Sequence, residues 1–282
     1  MSGASNRNTK QEGDVVLIDK QSEGRIWVIT MNRPHRMNSF GDGMGGALTE
    51  ALIAYRDDKQ ARVAVITGAG EKAFCAGADL IATSEGREAA KDGKAKPTKA
   101  DINKDKLDFI NMSEKLNLWK PTIAAINGFA IAGGFMMAMQ CDIRIMAEHA
   151  TMGITETRWN MPGAAWMAPL TRQMPLGCAL ELTMWGDTKY DAQRCYNIGW
   201  AQAVVPKEKL MEMALAYADR MLDMGPRSVS NNKELVYRGA YMEPSISFRY
   251  GVAVEKNLRG MADSIEGPKA FSEKRRPNFI NA

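Results

Sequence analysis

Histidine is almost missing from this chain. Only His35 and His149 occur among 282 residues. A His-based metal site or a Ser-His-Asp triad is hard to assemble from so few. His35 sits in an exposed Pro turn, and His149 precedes a strand, where a structural role is the simplest reading. Cysteine is also sparse, and Cys75, Cys141, Cys178 and Cys195 form no C-x-x-C pair. Scattered free thiols suit a reducing compartment. No apolar run reaches the about 18 residues that a membrane span needs. The opening MSGASNRNTKQEG is polar and lacks the apolar middle of a secretory signal, so residues 1–13 read as a flexible tail and the cytoplasm is the expected compartment. A net charge of +4 is too small to imply nucleic acid, and no Arg-rich, aromatic-interleaved stretch is present.

What remains is the composition of a soluble globular enzyme-sized chain, 45% hydrophobic and 25% charged. Apolar runs at Val15–Ile18 and Arg25–Met31 read as strands joined by Ser22-Glu23-Gly24. Helical spacing over Gly46–Tyr55 leads to a buried strand at Arg62–Thr67. Strand, helix, strand is the mark of a parallel α/β fold. Further strands are expected at Thr122–Ile126, Ile143–Ala147 and Val204-Val205, and helices at Ala179–Met184, Ala192–Ile198 and Lys209–Met224. Residues 14–225 are read as the core. After Pro226 the pattern is helical and more charged, with candidates at Val229–Tyr237, Ser245–Asn257 and Ala262–Lys274. The charged segment Ser84–Lys106 reads as a solvated loop, or as a lid because it follows a Gly turn.

Two glycine turns carry the chemistry. Ala132-Gly133-Gly134 opens directly into an apolar helix, and Ala76-Gly77-Ala78-Asp79 follows a short strand. Gly lets a backbone N–H approach a ligand closely, and a helix N-terminus adds partial positive charge. Two such turns can form an oxyanion hole. A lone acid, Glu156, follows. Together they point to enolate chemistry on a thioester.

The ordered segments ITMNRPHRMNS, VAVITGAGEKAFCAGADL, KPTIAAINGFAIAGGFMMAMQCDIRI and KAFSEKRRPNF resemble the crotonase (enoyl-CoA hydratase/isomerase) superfamily. The resemblance runs from about Val15 to Phe279. It implies an α/β spiral of ββα units, a helical C-terminal trimerisation region over 226–282, and a homotrimer or dimer of trimers. It also implies an acyl-CoA substrate, with CoA entering as part of that substrate and no metal or redox cofactor.

Carried over by position, the oxyanion donors are the N–H groups of Ala78 and Gly133, flanked by Ala76 and Gly134. Family hydratases use two catalytic Glu residues. The second falls on Glu156, but the first falls on Met136, because Gly133-Gly134-Phe135-Met136 replaces the usual Gly-Gly-Cys-Glu. Three activities fit a single carboxylate: a hydratase, a double-bond isomerase, and a hydratase-lyase of the hydroxycinnamoyl-CoA kind. The last group carries Trp three residues after its Glu, as Trp159 stands here. A non-catalytic CoA- or RNA-binding member of the fold is the remaining alternative. Met136 is expected to face the substrate, with Met137 and Met139 in the core. Trp159 and Trp166 are acyl-pocket or core aromatics. Arg33 and Arg36 are expected near the CoA phosphates, with Phe271 and Lys274 reaching CoA from a neighbouring subunit. Asp79 sits at the substrate turn and Asp142 elsewhere, both read as structural, and Glu181 is read as an ion-pair partner.

Overall fold

Strands β3 (Val63–Gly68) and β5 (Thr122–Ile126) are buried at every residue, so they read as unbroken apolar runs. The computed structural model describes residues 14–82, 84, 111–161, 163 and 166–282. β3 and β5 sit at the centre of a six-stranded sheet ordered β1-β2-β3-β5-β7-β10. The other members are β1 (Val16–Gln21), β2 (Ile26–Met31), β7 (Ile143–Ala147) and β10 (Ala203–Val205). Only β1 runs antiparallel, and its partly exposed pattern suits an edge. The rest pair in parallel.

A second sheet, ordered β4-β6-β8-β9, contains β4 (Ala73–Cys75), β6 (Phe129–Ile131), β8 (Thr151–Gly153) and β9 (Tyr190–Asp191). The chain alternates between the two: β3 then β4, β5 then β6, β7 then β8. Each coil adds one strand to each sheet, which is the expected spiral of ββα units. The expected large-sheet strands form within a residue of their expected ends, except β1, which runs three residues past Ile18 to Gln21. The small sheet is mostly new, since strands of two or three residues carry no readable period.

Helix α1 (Met44–Asp57) packs against β1 and β2. After the short α2 (Met112–Lys115), α3 (Gly133–Gln140) buries its first seven residues, including Met136, Met137 and Met139. Helices α4 (Leu176–Met184) and α5 (Ala192–Asn197) follow, and α6 (Leu210–Leu222) lies on β3, β5 and β7. Three helices end the chain: α7 (Pro226–Gly239), α8 (Pro244–Glu255) and α9 (Asp263–Ser272).

Asp142 fastens α7 to the core. It accepts from Thr122 N–H (2.7 Å) and the Tyr237 hydroxyl (3.0 Å), and pairs with Lys233 (2.9 Å). This is the structural role expected for it. The terminal helices still expose Val236, Phe248, Ile265 and Phe271, each at least 70% accessible. Residues 1–13 lie outside the described residues, as does the 84–106 segment apart from Ser84. No helix among the described residues is long and apolar enough to cross a membrane.

Candidate active site

The first glycine turn is clamped by the segment just after β2. Phe40 N–H donates to Gly77 C=O (2.7 Å), and Phe40 C=O accepts from Asp79 N–H (3.0 Å). Ala76 N–H donates to Met37 C=O (3.0 Å). Gly77 takes φ +86°, a conformation open to glycine and strained for other residues. Ala78 lies between the two residues that Phe40 holds. Among the described residues its N–H has no protein acceptor.

The second turn enters α3. Ala132 N–H donates to Gly153 C=O (2.9 Å), and Met136 N–H reaches back to Ala132 C=O (3.0 Å). Gly133 is the first helical residue, and the first N–H groups of a helix lack intrahelical partners. Its N–H likewise has no protein acceptor among the described residues. Ala132 sits at φ 53°, ψ −124°. That is a strained backbone for a residue with a Cβ, of the kind that collects at functional sites.

The two turns touch. A Cβ on Gly77 would lie 2.9 Å from Gly133 N, and one on Gly133 would lie 3.2 Å from the Phe40 ring. Two free N–H groups on touching turns, one of them at a helix N-terminus, can accept a developing oxyanion together.

Glu156 opens a short 3-10 turn, Glu156–Trp159. It is half-buried, and its Oε2 is shielded from solvent with no hydrogen-bond partner among the described residues. Burial raises its pKa above the ordinary glutamate range; nearby Glu156 and Thr155 N–H groups oppose this only in part. Among the described residues it forms no ion pair with Arg158, whose guanidinium instead lies 5.4 Å from the Trp159 ring. With no cation paired to it among the described residues and one oxygen shielded from water, the carboxyl keeps its proton to higher pH than an ordinary glutamate, as suits a group that takes and returns a proton.

The other expected site residues are placed as follows. Ala76 is half-buried, and Gly134 and Met136 are buried. Trp159 is 59% exposed, while Trp166 packs partly buried against the core. Arg36 is half-buried near the Asp79 turn. Phe271 and Lys274 are exposed at the end of α9.

Arg33 needs a correction. It was expected near CoA phosphates, yet it is only 3% exposed. Its guanidinium donates to Ser39 C=O (2.6 Å), pairs with Asp79 (3.2 Å) and meets Asp42. An arginine so engaged braces the Ala78 turn from beneath and cannot reach a solvent-borne phosphate. Asp79 also accepts from Ala82 N–H (3.1 Å), which fits the structural part read for it. Glu181 pairs with Arg194 and accepts from the Tyr190 hydroxyl (2.6 Å), as expected of an ion-pair residue.

Sequence reasoning missed Asn38 and Phe40. Buried Asn38 donates to Ala69 and Ala73 carbonyls (2.9 and 2.8 Å) and accepts from Arg33 N–H (2.9 Å), tying three segments under the first turn. Both residues lie in or beside the segment NRPHRMNS, but a bracing role is set by partners more than 30 residues away.

A cleft of about 290 Å³ between the end of α1 and the start of α7, lined by Arg62, Trp119, Lys120 and Arg227 among others, shares no residue with these turns.

A model of the family described as enoyl-CoA hydratase/isomerase matches residues 21–282. (E)-benzylidenesuccinyl-CoA hydratase of Thauera aromatica is 33% identical, over 94% of this chain and 99% of its own length. Carnitinyl-CoA dehydratase of Salmonella typhi is 33% identical, over 90% and 94%. Among solved structures, the enoyl-CoA hydratase from Bacillus anthracis superposes with a TM-score of 0.82 at 30% identity, covering 95% of this chain and all of the other.

Proposed function

The chain belongs to the enoyl-CoA hydratase/isomerase family, and from that premise we propose that it adds water to a 2-enoyl-CoA thioester with Glu156 as its single acid/base. The observation that carries this reading is Glu156 itself: a carboxyl with a raised pKa and one shielded oxygen that has no partner among the described residues, in a chain whose other expected carboxylate position is filled by buried Met136.

The chemistry follows from the groups at hand. The thioester oxygen accepts from Ala78 and Gly133 N–H. As water attacks the β-carbon, negative charge moves onto that oxygen and the two donors bind it more strongly than the neutral carbonyl. Loss of one such donor typically costs about 3 kcal/mol of transition-state stabilisation. Glu156, ionised, takes the proton from the attacking water. With Met136 at the other expected carboxylate position, the same carboxyl returns a proton to the α-carbon, so atoms balance with one water added. Hydration and dehydration are one reaction read in two directions, and the relatives named hydratase and dehydratase support that class.

A hydratase-lyase reading has one observation in its favour: Trp159, on the same turn as Glu156, offers an exposed indole face for an aromatic acyl group. In either reading Arg36 contributes to CoA binding. Phe271 and Lys274 reach CoA across a subunit boundary in a cytoplasmic homotrimer or dimer of trimers, a state supported by the apolar residues that the terminal helices expose. Turnover of crotonyl-CoA, a 3-enoyl-CoA and feruloyl-CoA, followed by mass spectrometry, tests the proposal. Gain of water supports the hydratase. Release of acetyl-CoA with an aldehyde indicates the lyase, and a shifted double bond without mass change indicates the isomerase.

A further inference from the structure

Gly186 lies in the loop after α4, between exposed Trp185 and exposed Asp187, yet it is itself buried. Its φ is not left-handed, so backbone conformation does not call for glycine there. Contact does. A Cβ at this position would lie 2.6 Å from the backbone nitrogen of Arg158, 2.8 Å from Thr157 Oγ1 and 2.9 Å from Arg158 Cβ. The first of these is the donor of the hydrogen bond that closes the Glu156 turn, Arg158 N–H to Thr155 C=O (3.1 Å). A backbone atom in a closed turn cannot swing aside as a side-chain tip can. Any side chain at 186 must therefore push the turn and the loop after α4 apart.

Gly163 makes a second, softer contact, against the Glu156 side chain itself. A Cβ there would lie 3.1 Å from Glu156 Cγ and 3.4 Å from its Cβ. Glu156 Oε2, meanwhile, has no hydrogen-bond partner among the described residues. Backbone thus packs against both the stem of Glu156 and its turn.

We propose that Gly186, with Gly163 as a second support, is a positioning residue for Glu156: its missing side chain lets the loop after α4 hold the Glu156 turn inward at the reacting position. The inference rests on the catalytic role assigned to Glu156. General acid–base catalysis is sensitive to such placement, since a misplacement of about 1 Å can lower a rate by about a hundredfold.

The test uses the full-length protein with four substitutions: Gly186→Ala, Gly163→Ala, Gly177→Ala and Glu156→Gln. Gly177 lies in α4 with nothing near its missing Cβ, so it controls for adding a methyl to this part of the chain. Two readouts are taken: the pH profile of kcat/KM with crotonyl-CoA, and the 13C carboxyl titration of Glu156, assigned by difference from Glu156→Gln. The second does not depend on turnover. Gly186→Ala is expected to lower kcat at least tenfold with KM within about threefold. The Glu156 titration and the acid limb should both move to lower pH as the displaced turn lets in water. Gly163→Ala should change both in the same direction by less, because Glu156 Cγ can give way, and it serves alone if Gly186→Ala does not fold. Gly177→Ala should match wild type. An unmoved Glu156 titration in Gly186→Ala and Gly163→Ala overturns the inference, even if thermal stability falls. Wild-type turnover by Glu156→Gln would instead remove the catalytic role of Glu156, a failure visible separately from the glycine results.

Discussion

Gly134 and Cys75 interlock the two oxyanion turns: a Cβ on Gly134 would lie 1.9 Å from the Cys75 carbonyl oxygen. The second residue of α3 therefore rests directly on the end of β4. Neither segment can shift without carrying the other's N–H donor with it.

Gly134→Ala should accordingly destabilise the fold. Gly to Ala inside a helix ordinarily stabilises by up to about 1 kcal/mol. Here the methyl meets backbone, and overpacking of this kind costs about 1–3 kcal/mol or more. Urea denaturation gives the sign directly. A midpoint at or above wild type would mean that the turns are not in contact as described.

The buried Arg33–Asp79 pair predicts a second stability effect. Asp79→Asn removes the buried carboxylate charge paired with the Arg33 guanidinium, which is only 3% exposed, and leaves the exposed Asp42 as its charged partner among the described residues. Breaking a buried pair from one side typically costs 3–5 kcal/mol. The expected signature is a lowered denaturation midpoint that high salt does not abolish. Arg33→Lys should behave similarly, since a compact ammonium lacks the planar fork with which the guanidinium reaches Ser39, Asp42 and Asp79 from two separate nitrogens. An unchanged midpoint in both would return Arg33 to the list of candidate phosphate ligands.

Glu156 ties stability to pH with a definite sign. Burial raises its folded-state pKa above the unfolded value, so the native state binds the proton more tightly. Below the unfolded pKa, about 4.3, both states are protonated and the group contributes nothing. As pH rises through the folded-state pKa, the native state must hold an ill-solvated charge, and stability falls. Glu156→Gln should therefore raise Tm at neutral pH and leave it nearly unchanged near pH 4. A Tm lowered at neutral pH would contradict the shielded environment.

Assembly is tested by light scattering. The exposed Val236, Phe248, Ile265 and Phe271 lead us to expect a mass of three or six chains, with Phe248→Glu shifting it toward one. A wild-type monomer would remove the cross-subunit roles given to Phe271 and Lys274.

Much of the molecule was legible in its residues because the inner strands of the large sheet are mostly apolar runs, and the turn glycines lie directly before Ala78 and at the start of α3. The terminal helices announced themselves at Pro226 and in apolar spacing. β6 and β9 did not, because strands of two or three residues are defined by their neighbours and not by their own pattern. Arg33 was misread for a related reason. Beside a Pro turn it resembles a solvated cation, and only the fold brings Asp79 across to bury it. The contacts of Gly186 with the Glu156 turn are equally non-local, 28 to 29 positions apart in sequence.

The measurement that bears most directly on the account is hydration by wild type and Glu156→Gln side by side, with crotonyl-CoA and feruloyl-CoA in 18O-labelled water. The account predicts that wild type adds one labelled oxygen to the β-carbon and that Glu156→Gln is slower by about 10²- to 10⁴-fold, with acyl-CoA binding retained. Equal turnover by the two proteins, or cleavage to acetyl-CoA without an accumulating hydrated product, would contradict it.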